Sequence, residues 1–172
     1  LLTHAKDAQS GYVLIPLSIT QDSERLEHAL SHEWFHDELV RMDPEDKVAM
    51  YDTFQQLAAS EDFRRLVINT FGSGYMGKIS REAFAQEFWA QYHWPSMGVE
   101  NGRIDLIRER VEAEAVSNDA LSQLINKLGR LKVMVVGKVD QQLESVRKSL
   151  AGLEENWESL TIPNVAPAER FS

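Results

Sequence analysis

The sequence predicts an α+β fold that is predominantly helical. It has one small edge β element and a C-terminal long helix or helical hairpin. Three observations carry this. Gly11-Tyr12-Val13-Leu14-Ile15-Pro16-Leu17-Ser18-Ile19 is the one strong strand signal, being short, apolar and β-branched. Several segments of helical spacing follow, each opened by a capping residue or ended by Gly or Pro. Last, apolar residues recur from Leu121 to Leu160 with a mean step near ~3.5 residues, the seam of a coiled coil or of a long helix on a partner.

The elements follow in order. Pro16 removes a ladder donor and places the first strand at a sheet edge, or itself at the strand's last stretch. Asp22 or Ser23 caps the next segment, in which Leu26, Ala29, Leu30, Trp34 and Leu39 hold helical spacing. Asp43-Pro44-Glu45 opens a helix running to about Ala58. Ser60 caps another that ends near Phe71, before Gly72. A glycine loop follows, with Gly72, Gly74 and Gly77 giving Tyr75 backbone freedom. Ser80 then caps a buried helix with Ala83, Phe84, Phe88 and Tyr92 near one stripe.

Trp94 to Gly102 is a turn-rich break, and Arg103 to Ala115 reads as a charged helix. Ser117-Asn118-Asp119 caps the final segment. Its steps of four from Leu131 to Leu143 resemble a stutter. Lys132–Val136 could instead form a short strand, and Gly137 is the candidate hinge if the segment folds back. The expected organisation is residues 1–95 as the functional portion, 96–160 as a helical extension and 161–172 as a flexible tail.

The chemistry is concentrated in His32-Glu33-Trp34-Phe35-His36, an H-E-x-x-H pattern on a helix. Positions i and i+4 share a face, so both imidazoles can reach one zinc ion, and Glu33 then stands beside its open position as a general base. A third protein ligand is needed. The metzincin spacing fails, since Leu39 and Met42 occupy its Gly and His positions. Glu61 is loosely compatible by distance along the chain, although Glu61 and Asp62 also suit a helix N-terminus. Glu82 sits in the first turn of its helix, and its residues alone leave it open as an ordinary first-turn acid or a cleft carboxylate.

Glu82-Ala83-Phe84-Ala85-Gln86-Glu87-Phe88 resembles the E-x-F-A-x-x-F stretch of lethal-factor-type gluzincins. That group of zincin-like metallopeptidases includes the anthrax lethal factor catalytic domain and peptidase domains of phage and mobile-element polyvalent proteins. The resemblance spans roughly residues 11–94. It implies a zincin-like core and makes Glu82 the third zinc ligand. It also makes Tyr75 an electrophile that stabilises the oxyanion. Gln86 stands where the family often has a second acid, which bears on tuning of the site. His28, four residues before His32, is a candidate neighbour or alternative ligand, and His93 is a candidate substrate or oxyanion contact. The expected function is thus a zinc-dependent endopeptidase acting on a protein or peptide substrate. The alternative is a non-catalytic zincin-fold module that interacts through its C-terminal coiled-coil-like helix.

Composition narrows the partners. Net charge is −9, and residues 1–99 carry 15 acids against 8 bases, which argues against nucleic acid. No apolar run is long enough for a membrane span. The absence of Cys excludes disulfides and thiolate zinc sites. These features suit a soluble chain, cytoplasmic or delivered or secreted without disulfides. The first residue is not Met, as expected for a fragment or processed chain. A homodimer or partner helix is expected to cover the stripe at 121–160.

Overall fold

A computed structural model describes residues 4–5, 12–13, 22–72 and 80–159. Six helices account for nearly all of them: α1 Ser23–Arg41, α2 Pro44–Ala58, α3 Glu61–Phe71, α4 Arg81–His93, α5 Asn101–Ala115 and α6 Asp119–Ser159. The α+β expectation is therefore corrected to an all-helical fold. The described strands are β1 His4–Ala5 and β2 Tyr12–Val13, a two-residue antiparallel ladder that pairs His4 with Val13 and Ala5 with Tyr12. That is too short to form a layer with a buried face. The remainder of the expected edge strand over 11–19 lies outside the described residues, as does the tail beyond residue 159.

The helix starts follow the sequence closely. The Asp22 side chain accepts from the backbone N–H groups of Glu24 and Arg25, both at 3.1 Å. Ser60 and Ser80 accept from Phe63 and Ala83 at 3.4 and 3.2 Å. Asp43 makes no such side-chain bond; α2 instead begins with Pro44, whose missing N–H costs nothing in a first turn. Gly72 ends α3 at φ 92°, a left-handed conformation that favours glycine.

Two compact units are present, residues 1–139 and 140–172. In the first, α4 is central. It packs on α1, α2 and α5, and it is buried on almost every side from Phe84 to His93. Its aromatics meet those of α2 and α3: the Phe88 ring lies 4.9 Å from Phe54 and 5.8 Å from Phe63, and Trp89 donates to the Met50 carbonyl at 3.1 Å. Helix α5 packs on α3 and α4, so no boundary between compact units falls at residue 95.

Helix α6 spans both units. Lys132–Val136 is helical rather than a strand, and Gly137 lies inside the helix without a turn. In the first unit its stripe is covered: Leu121, Leu124, Leu128, Val135 and Val139 are buried. Lys127 pairs with Asp46 of α2, Lys138 with Glu38 of α1, and Asn118 bonds Gln56 of α2 at 3.0 Å. This part of the stripe thus lies on helices of its own chain, and neither a hairpin nor a second copy is needed to bury it. In the second unit, Lys148 and Glu144 pair at 3.8 Å across one helical turn. No described helix is long and apolar enough to cross a membrane.

Candidate metal centre

Helix α1 presents His28, His32 and His36 at steps of four, and α4 runs against it. At the end of α4 the chain turns at Trp94-Pro95, where proline ends helical geometry. That turn lays two backbone carbonyls on the imidazoles. Trp94 O accepts from His32 Nδ1 at 2.6 Å, and Pro95 O accepts from His28 Nε2 at 2.5 Å. Donation from Nδ1 fixes the His32 tautomer and leaves the Nε2 lone pair free to bind a metal.

The third partner is Glu87. Its carboxylate lies 2.8 Å from His36 Nε2 and 3.8 Å from His32 Nε2. Ligand atoms of His32, His36 and Glu87 all fall within 4.8 Å of one another. Ligands of a tetrahedral zinc at ~2.0–2.1 Å stand roughly 3.4 Å apart, so the two measured separations straddle the required spacing. Two neutral imidazoles with one carboxylate form a donor set that zinc accepts. The described residues therefore fit a zinc ion.

The charge state of His32 agrees with this geometry. Burial, then the neighbouring His36, lowers the His32 pKa despite the Trp94 carbonyl and Glu87, so His32 is neutral as a ligand must be. Burial alone would raise the Glu87 carboxyl. The hydrogen bond and charge of His36, with help from Gln91 and His32, overcome that and hold it at about 2. Glu33 is buried beside them. Its pKa is raised, first by burial and then by Glu87, against the opposing influence of His36.

Glu82, expected as the third ligand, is exposed and is not in the cluster. Five residues on a helix turn through about 140°, so Glu82 and Glu87 cannot serve the same face. Glu61 is also elsewhere, exposed and paired with Arg65 at 3.0 Å. The signal for Glu87 was present: the E-x-aromatic-Ala pattern occurs twice, as Glu82-Ala83-Phe84-Ala85 and again as Glu87-Phe88-Trp89-Ala90. The register that reaches the histidines is the second.

Gln91, which the sequence reading missed, is then the residue four beyond the ligand acid. Its amide donates to Glu87 Oε1 at 2.9 Å and to Ser96 Oγ at 2.5 Å, and its oxygen accepts from Ser96 N at 2.6 Å. It thereby fixes one Glu87 oxygen and ties it to the turn that holds His32. Gln86 is half-buried and outside the cluster.

His93 is buried against Phe35, with ring centroids 5.2 Å apart, and its Nε2 has no partner. Burial, with Lys132 and Arg108 nearby, pushes its pKa down to about 3. It is a neutral core imidazole, not a member of the metal cluster. Tyr75 lies outside the described residues. Beside the cluster, Glu87, Gln91 and Ser96 share a cavity of about 190 Å³ with Phe71, Phe84, Phe88 and Val99.

No protein-family model, curated protein or solved structure matches this chain.

Proposed function

We propose that this chain is a zinc-dependent endopeptidase in which His32, His36 and Glu87 hold the metal and Glu33 is the general base. The observation that supports it most is the convergence of Glu87 on the H-E-x-x-H pair, with ligand atoms within 4.8 Å of one another. A structural zinc site is closed by four protein ligands, whereas the described residues offer three here, with a buried carboxylate beside them. Zinc bound there would supply Lewis acidity and lower the pKa of a water in its fourth position to ~7.

The chain's own groups do the rest. Trp94 O orients His32, and Gln91 orients Glu87. Glu33 takes the proton of the attacking water and returns it to the departing amide nitrogen. Its raised pKa suits both halves of that task, since a carboxyl nearer the working pH gives back a proton more readily. The adjacent cavity, apolar except for Glu87, Gln91 and Ser96, is placed to receive a substrate side chain.

Purified protein should carry one zinc per chain by plasma mass spectrometry. Glu33→Gln should keep that zinc and lose hydrolysis of an unfolded protein substrate by ~10²–10⁴-fold. Absence of zinc binding, or undiminished hydrolysis in Glu33→Gln, would overturn the proposal.

A further inference from the structure

A second cavity, of about 260 Å³, lies between α2, α3 and the start of α4. Phe54, Phe63, Val67 and Phe84 form its buried apolar walls, with Ala58 beside them. Its polar lining is Gln55, Arg64 and Arg81. It contains none of the candidate metal ligands.

Like Arg25, Arg110 and Arg130, these two arginines have no ion pair among the described residues, but they line a common recess. Arg41, Arg65 and Arg108 each pair with an acid on their own helix, and Arg103 pairs with Glu100 just before α5, at 2.9–3.3 Å. Arg64 and Arg81 form no ion pair with any described carboxylate, although the chain carries 27 acids against 18 bases. Both are exposed and both line the same apolar recess. They stand on different helices, Arg64 on α3 and Arg81 on α4. A guanidinium presents a planar fork of donors that matches a carboxylate. An aromatic-lined recess with such groups at its edge is complementary to a ligand with an apolar body and one anionic end.

We infer that this cavity binds a small amphiphilic carboxylate, with its hydrocarbon part against Phe54, Phe63 and Phe84 and its carboxylate held by Arg64 and Arg81. The inference does not rest on the peptidase reading, because the site shares no candidate ligand with the metal centre. Both halves are required. Apolar burial supplies most of the affinity, since ~25 cal/mol accrues per Å² removed from water. The arginines select the charge, because hydrogen bonds to an ionised partner are about twice as strong as neutral ones.

Octanoate titrated into the ¹⁵N-labelled protein tests this, with octanol, octylammonium and inorganic phosphate as comparisons. Octanoate should bind, with amide shifts centred on Phe54, Ala58, Val67 and Phe84. Octanol should bind at least about tenfold more weakly, and octylammonium and phosphate not measurably. The double variant Arg64→Gln/Arg81→Gln should weaken octanoate about tenfold or more and leave octanol unchanged. Both side chains are exposed, so the variant should melt as the parent does and keep its zinc content. Equal affinity for octanol and octanoate, unchanged octanoate binding in the double variant, or no octanoate binding at millimolar concentration would each overturn the inference.

Discussion

Helix α6 and the histidine face of helix α1 each carry a stripe of helical spacing, and they bury it by different means. On α6 the stripe is Leu121, Leu124, Leu128, Val135 and Val139, and burial asks only for a surface of matching shape. On α1 it is His28, His32 and His36, and burial asks for a polar partner on each ring. The fold provides Pro95 O, Trp94 O and the Glu87 carboxylate. An apolar stripe therefore reports that something covers it. A stripe of imidazoles reports in addition that backbone carbonyls or acids have been brought to it, because a buried ring nitrogen without a partner is costly.

The sharpest way to break that comparison is to remove the acid. Glu87→Gln takes away the anionic ligand and the charge that His36 faces, so zinc should be lost from the purified protein. Glu82→Gln, at an exposed position, should leave zinc at one per chain. Metal analysis of the two variants distinguishes the registers directly. Zinc lost in Glu82→Gln and kept in Glu87→Gln would reinstate the expected ligand and remove the geometric basis of the site.

That contrast also marks what could be read in the chain. The capping residues Asp22, Ser60 and Ser80 were legible because their oxygens act within three residues. The pair His32 and His36, and the apolar stripe of α6, were legible from helical periodicity. Glu87 was not, because the E-x-aromatic-Ala pattern occurs in two registers and only the packing of α4 on α1 selects between them. Trp94 O and Pro95 O leave no trace in side-chain identity at all. A stripe does not name its partner either, so Asp46 and Glu38 as the acids meeting Lys127 and Lys138 emerge only from the fold. The β-branched run near Val13 was read as a sheet edge, whereas its described part is a ladder two residues deep.

His93 sharpens the comparison from the other side. It is a buried imidazole whose Nε2 was given no partner, and the result is a neutral ring with a pKa of about 3. Unfolded, the same ring titrates near 6.5. Below that value the unfolded chain binds a proton that the folded chain refuses. The stabilising contribution of neutral His93 is thus complete above pH ~6.5 and is lost progressively as pH falls towards 3. Over the whole window the loss is on the order of a few kcal/mol. In urea titrations of metal-free protein between pH 7 and 4, His93→Gln should show a shallower decline than the parent. Parallel curves would show that His93 gains its proton without cost in the folded state.

Leu128→Ala tests the apolar half. Leu128 is fully buried near the middle of the covered stripe, between Lys127, which pairs with Asp46, and the half-exposed Lys132, which lies 4.8 Å from the Trp94 ring centroid. Truncation to Ala removes three carbons from a close-packed site and leaves a cavity, at a cost of ~2–5 kcal/mol. No hydrogen bond or charge is disturbed, so the loss should appear in the urea midpoint with little change in slope. The histidine stripe should not register it, because the Trp94 and Pro95 carbonyls are held by the turn after α4 and by Gln91 with Ser96. Zinc content and affinity should therefore stay at the parent value at temperatures where the variant remains folded. A tenfold or greater fall in zinc affinity under those conditions would mean that α6 clamps the metal turn through Lys132 and Trp94. The two stripes would then be one cooperative element rather than two solutions to separate burial problems.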